Sequence, residues 1–226
     1  MKKILLPLIF ALGMTASAQT VGTLNTSLQN NSIISGFTPS DDPMFQSRFG
    51  FKKNGYALNA WTDYNLKKNN VRELDLNLSG PITTLDDITL SGYAGYFIFP
   101  NSQINDMNES GIILSKNISG ITLSNYLAKF GGAGSDNGFI NKINLIDAIP
   151  IDDKINVAAS TQLVYNDRYF TQSSGFSHVS VSVDGAIKFS DMTLTARLYK
   201  QWMLSNNFNN AFKNSYCINI GIGKEF

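Results

Sequence analysis

One cysteine and one histidine occur in the 226 residues. The lone Cys217 forbids an internal disulfide and reads as a small packing residue within a strand. One His and one Cys cannot build a structural zinc site of the usual kind. The carboxylates of SDDP, INDMNE and IDDK follow no calcium-loop spacing and read as solvated loop charge. Gly131-Gly132-Ala133-Gly134 falls between strand-like segments instead of opening a helix, so it is no phosphate cradle. No metal and no cofactor is implied. An excess of either charge is missing too: 18 Lys+Arg face 17 Asp+Glu, which excludes a basic surface for nucleic acid. Helix-period stretches are nearly absent. So is any long apolar run beyond the first residues, so a membrane, if crossed, is crossed by strands.

What is present starts with MKKILLPLIFALGMTASAQT. Two lysines precede an apolar run from Ile4 to Met14, and Ala16-Ser17-Ala18 gives a small-x-small cleavage site. The run is shorter than the ~20 residues of a spanning helix, so residues 1–18 read as a cleaved signal peptide and 19–226 as one exported domain.

The rest alternates with period two. Leu74, Leu76 and Leu78 oppose Glu73, Asp75 and Asn77; Val179, Val181 and Val183 oppose His178, Ser180, Ser182 and Asp184; Leu194, Ala196 and Leu198 oppose Arg197. Strands are expected over about 20–34, 44–53, 56–65, 71–81, 87–99, 110–117, 121–130, 138–149, 154–166, 177–189, 192–203 and 214–226. Their connections run long, short, long, short. SGFTPSDDP, KKNN, PNSQINDMNE, GGAGSDNG, NDRYFTQSSG and SNNFNNAFKN alternate with KKNG, ITTLDD, NISG, PIDDK and SD. Tight turns at one end and longer loops at the other belong to outer-membrane barrels.

The fold expected is therefore all-β: a single antiparallel up-and-down transmembrane β-barrel of about 12 strands, with 10 or 14 as alternatives. Aromatics near strand ends (Tyr56, Tyr64, Phe97, Phe99, Phe130, Tyr165, Phe189, Trp202 and Tyr216) read as interface girdles. CINIGIGKEF closes the chain on Phe226. A terminal strand ending in an aromatic resembles the C-terminal signature that the barrel-assembly machinery recognises, and that strand must seal the barrel against the first. The expected location is the cell outer membrane, with outer-membrane lipid and lipopolysaccharide as surroundings.

FQSRFGFKKNGYALNAW, followed by ELDLNLSG and a strand ending FIFP, resembles the TorF-type porin family over about residues 30–100. Gly55, Tyr56 and Trp61, then Glu73, Asp75 and Leu76, then Phe97, Phe99 and Pro100 carry the likeness. It implies an outer-membrane porin.

In a membrane barrel the polar parity faces the lumen. Strand by strand this gives Arg48, Asn59, Asp63, Glu73, Asp75, Asn77, Gln162, Asp184 and Arg197 as lumen-lining candidates. Both signs occur, which suggests opposed acidic and basic walls and a narrow passage for passive diffusion of small polar solutes. A filled, non-conducting barrel acting through its loops is the alternative, since twelve strands lie between filled and open barrels. A third reading is a lipid-hydrolysing enzyme using His178 and Ser180, a His-x-Ser pair on one strand. The parity of Val179, Val181 and Val183 turns that pair away from lipid, so no enzyme is expected.

Overall fold

The computed structural model describes residues 20–34, 37–101, 105–132, 138–168, 173–208 and 213–226. The expected leader lies outside the described residues. In chain order the strands are β1 (Val21–Gln29), β2 (Ser32–Ile34), β3 (Phe37–Ser40), β4 (Met44–Lys53), β5 (Tyr56–Asn65), β6 (Asn70–Leu85) and β7 (Ile88–Ile98). They continue as β8 (Met107–Ile118), β9 (Ile121–Gly132), β10 (Gly138–Pro150), β11 (Ile155–Asp167), β12 (Ser174–Phe189), β13 (Met192–Met203) and β14 (Ser215–Glu225). Twelve close into one antiparallel barrel in the order β1-β14-β13-β12-β11-β10-β9-β8-β7-β6-β5-β4; β2 and β3 pair only with each other. Among the described residues no helix is long and apolar enough to cross a membrane.

The turn end is made mostly by backbone that reverses in two residues; the link between β10 and β11, residues 151–154, takes four. Asn54 and Gly55 take φ of 51° and 81°, and Ser119 and Gly120 take 51° and 93°. Both central residues left-handed is the hairpin turn whose twist matches paired strands. Two connections depart from expectation. ITTLDD is not a six-residue turn, because β6 runs on to Leu85 through a register shift between Pro81 and Thr83. KKNN, expected among the long connections, is only the short link between β5 and β6.

Closure joins the first and last barrel strands. Gly22 N donates to Phe226 O at 2.8 Å, and Phe226 N donates to Gly22 O at 3.0 Å. The Phe226 ring covers Gly22, where a Cβ would not fit, and stacks on Phe49 at 6.3 Å between centroids. Tyr56 likewise covers Gly80 and donates its hydroxyl to Pro81 O at 3.1 Å. Each aromatic buries a bare stretch of strand on the outer face, near the turn end.

The outward parity is apolar all round. Leu28 and Phe49, Leu74, Ile112, Leu127, Ile143, Val183, Leu198 and Ile220 all stand 39–59% exposed. In water such a surface would aggregate; in lipid it is the solvent-matched face. Tyr64, Tyr165, Trp202 and Tyr216 face outward toward the loop end, Tyr56 and Phe189 toward the turn end. Phe97 and Phe130 are a correction to the girdle: their partners, Asp75 and Glu109, belong to the inward parity. Phe130 is only 3% exposed, and Phe97 and Phe99 pack on the same interior cluster.

Candidate functional site: the barrel lumen

Any function of a membrane barrel that moves solutes is written on its inward parity. All nine lumen candidates, Arg48, Asn59, Asp63, Glu73, Asp75, Asn77, Gln162, Asp184 and Arg197, occupy it. The register pairs Arg48 with Trp61, Asp63 with Glu73, Asn59 with Asn77, Gln162 with Ser180 and Asp184 with Arg197. Trp61, from the porin-like motif, thus stands between Arg48 and Asp75 in the lumen wall.

The loop-side half is filled. Met107, Ala128, Phe130, Ile140 and Val164, from β8 through β11, form a buried apolar cluster. Beside Asn166 on β11, Met44, Asp63, Glu73, His178 and Gln201 around the remaining circumference are at most 1% exposed. Phe208, in a short 3₁₀ turn (Asn206–Phe208), is 1% exposed. Ser173 Oγ donates to Asn207 O at 2.9 Å, which ties this turn to the start of β12.

Several polar groups inside the plug are bonded across neighbouring strands, as burial favours, while Asp75 Oδ1 is buried with no hydrogen-bond partner among the described residues. Asp63 pairs with the Arg72 guanidinium, which also lies 3.3 Å from Glu73 Oε2. Tyr126 donates to Glu109, and Lys142 Nζ sits 4.8 Å from the centre of the Tyr126 ring. Tyr93 donates to Asn77 at 2.6 Å. Arg72, Tyr93, Glu109, Tyr126 and Lys142 were not singled out from the sequence. The available signal was a charge in the middle of an apolar strand, as in MNESGIIL and GFINKINL.

The turn-side half is open. Here Arg197 and Asp184 form an ion pair, with side chains 56% and 30% exposed. They border a cavity of about 330 Å³ that small and polar residues line, among them Ala148, Asn156, Ala158, Thr195 and Asn219. An amide ladder continues along the wall: Gln162 donates to Asn144 (2.6 Å), Asn144 to Ser124 (3.3 Å) and Asn219 to Ser27 (3.0 Å).

Opposed acidic and basic walls are not what forms. Arg72 neutralises carboxylates on its own side, and Arg197 meets Asp184 on the adjacent strand. The sequence parity could not show this, because pairing depends on which strands become neighbours. His178 and Ser180 are 0% and 2% exposed inside the barrel, and His178 Nδ1 lies 3.0 Å from Ser177 Oγ. Neither reaches the lipid face where a lipid substrate would lie.

No family model matches the chain, and a search of curated proteins finds no match. Solved structures do resemble it. The chain is similar to the NanC porin at 10% identity, covering 89% of this chain and 98% of that one, with a TM-score of 0.60. It is similar to the KdgM porin in complex with disordered oligogalacturonate at 8% identity, 91% and 99% coverage, and a TM-score of 0.57. An outer-membrane channel from Pseudomonas putida matches at 11% identity, 95% and 97% coverage, and a TM-score of 0.57. At such identities the likeness is one of fold. A closed twelve-strand barrel with an apolar outer face is a β-barrel of the outer membrane.

Proposed function

We propose that the protein is a narrow porin for passive diffusion of small polar solutes, with the loop-side half of the lumen as its constriction. The observation that supports this reading most is the turn-side vestibule: an open cavity of about 330 Å³ with an exposed Asp184–Arg197 pair and amide walls. A purely structural barrel has no need of an open half. The neighbouring porins and the motif resemblance to TorF-type porins favour the same class. One neighbour, the KdgM porin, is in complex with a disordered oligogalacturonate. In this chain Arg72 and Arg197 are already engaged by carboxylates, which favours neutral or zwitterionic solutes at those two positions and leaves the exposed Arg48 as the inward arginine open to an anionic group.

The second reading, a non-conducting barrel acting through its loops, draws on the burial of Asp63, Glu73, His178 and Gln201. Single-channel recording of the refolded protein in planar bilayers separates the two. Discrete steps with weak ion preference support the porin. Silence from protein shown to be inserted sinks constitutive conduction and leaves the loops to carry function.

Insertion itself is assigned to the barrel-assembly machinery acting on β14 and Phe226, within lipopolysaccharide-containing membrane. Phe226→Ala should lower the inserted fraction in cells while protein refolded in detergent still closes.

A further inference from the structure

The lipid-facing surface carries an anomaly between β9 and β10. Outward charges elsewhere keep toward the strand ends: Lys53, Lys116, Asp147 and Lys224 on the turn side, Lys129 and Lys200 on the loop side. Asn125 instead sits within the apolar belt, and Asn141 lies diagonally from it, two residues nearer the loop end and opposite the girdle residue Tyr165. Their register partners are Leu114 and Ile143 for Asn125, and Leu127 and Tyr165 for Asn141, all outward and 40–47% exposed. Asn125 is four residues along β9 from its turn-side end at Ile121. That places it about 10 Å into a belt about 25 Å tall.

The two amides bond to each other, Asn125 Nδ2 donating to Asn141 Oδ1 at 2.8 Å. This satisfies one donor and one acceptor. The Asn125 carbonyl and the Asn141 NH₂ are left without a partner among the described residues, and lipid supplies none. Reversing both amides leaves the same inventory, one free carbonyl and one free NH₂.

We infer that this patch is a contact between two copies of the chain in the membrane. A two-fold axis along the membrane normal brings the same depth of each barrel together, and a two-fold contact must be self-complementary. The amide pair is: Asn141 of each copy donates to the Asn125 carbonyl of the other, so two reciprocal bonds complete four groups. The surrounding Leu114, Leu123, Leu127 and Ile143 supply apolar contact on either side. Lipid cannot offer the complement and another barrel of unrelated surface has no reason to match it. This inference does not depend on whether the lumen conducts.

The test uses full-length protein in lipid vesicles at high dilution. Cys217 is buried and is replaced by Ser, so a single introduced cysteine reports contact. Leu127→Cys lies beside Asn141, and Leu28→Cys on β1 lies on the far side of the barrel. A short bis-maleimide should join Leu127→Cys copies far more than Leu28→Cys copies. Adding Asn125→Leu with Asn141→Leu should cut the Leu127→Cys yield about tenfold, the scale of two amide bonds in lipid. Equal yields at the two positions, or a yield indifferent to the leucine substitutions, would overturn the contact. If the leucine variant fails to insert, fluorophores counted on labelled Leu28→Cys protein decide the matter: bleaching in two steps supports the pair and in one step overturns it.

Discussion

Phe130 and Arg197 both point into one lumen, from β9 and β13, yet Phe130 is 3% exposed while the Arg197 side chain is 56% exposed. The difference follows height. Toward the loops the interior holds bulky groups, Met107, Phe130, Ile140 and Tyr126, and charges that are neutralised by contact. Toward the turns the inward positions are small or short, Ala148, Ala158, Ala186 and Thr195, and a cavity of about 330 Å³ is left open. Twelve strands leave room either to fill or to open; residue size decides, and this chain does one in each half. The same ion pair therefore means different things at the two heights. Held against the buried Asp63, Arg72 is an element of structure, whereas Arg197 with Asp184 is an element of the exposed lumen wall.

The largest break should come from Arg72→Met. It strands Asp63 and Glu73 as buried carboxylates without their guanidinium, a change that costs about 3–5 kcal/mol. Denaturant unfolding of the refolded barrel should show that loss, and Asp63→Asn combined with Arg72→Met should recover part of it. A wild-type midpoint for Arg72→Met would mean that the plug's ion pair is dispensable.

Phe130→Ala should be next. Truncating a buried Phe costs about 3 kcal/mol, and it removes the bulkiest member of the apolar cluster. If the loop-side half is the constriction, conductance should rise or silent protein should begin to conduct. Lost stability with no change in current would place the barrier elsewhere.

Arg197→Met reverses this profile. The pair is exposed, so stability should move by less than about 1 kcal/mol. Ion selectivity should shift toward cations, because Asp184 then stands uncompensated beside the cavity. Reversal potentials under a salt gradient give the readout, and an unchanged potential would remove the vestibule from any permeation path.

Much of the architecture was legible because period-two alternation is a local signal. β4, β5 and β13 fall on 44–53, 56–65 and 192–203, as the pattern indicates. Alternation fails where both faces are apolar. In β7 through β10 Phe97 and Phe130 cannot be told from girdle residues by parity, since Ile112 and Ile113 or Phe139 and Ile140 sit side by side. Register shifts also erase it: β6 carries an extra residue, Ile82, between Pro81 and Thr83, and β12 carries Ser177 opposite the Val164/Tyr165 step of β11, and beyond each the inside and outside of that strand exchange. The plug was illegible for a further reason. Arg72 with Asp63 and Tyr126 with Glu109 are contacts between strands, and no single-strand pattern records which side chains become neighbours.

The smallest expected effect lies outside the barrel wall, at the loop between β3 and β4. Asn65 donates to Asp42 Oδ2 at 3.0 Å, and this bond, before the contribution of Lys67, holds the Asp42 carboxyl below its ordinary 3.8. The Asn65 carbonyl in turn accepts from the Lys67 and Lys68 N–H groups at 3.0 and 2.8 Å. A carboxylate with a lowered folded value stabilises above its unfolded value and loses that support as pH falls through the folded one. Protection of the Lys67 and Lys68 amides, corrected for intrinsic exchange, should therefore hold from neutral pH and fall below pH 3.8. Asp42→Asn should remove the pH dependence while leaving Phe130 and Arg197 readouts untouched. Protection that stays level through the acid range would show the Asn65 turn standing without Asp42.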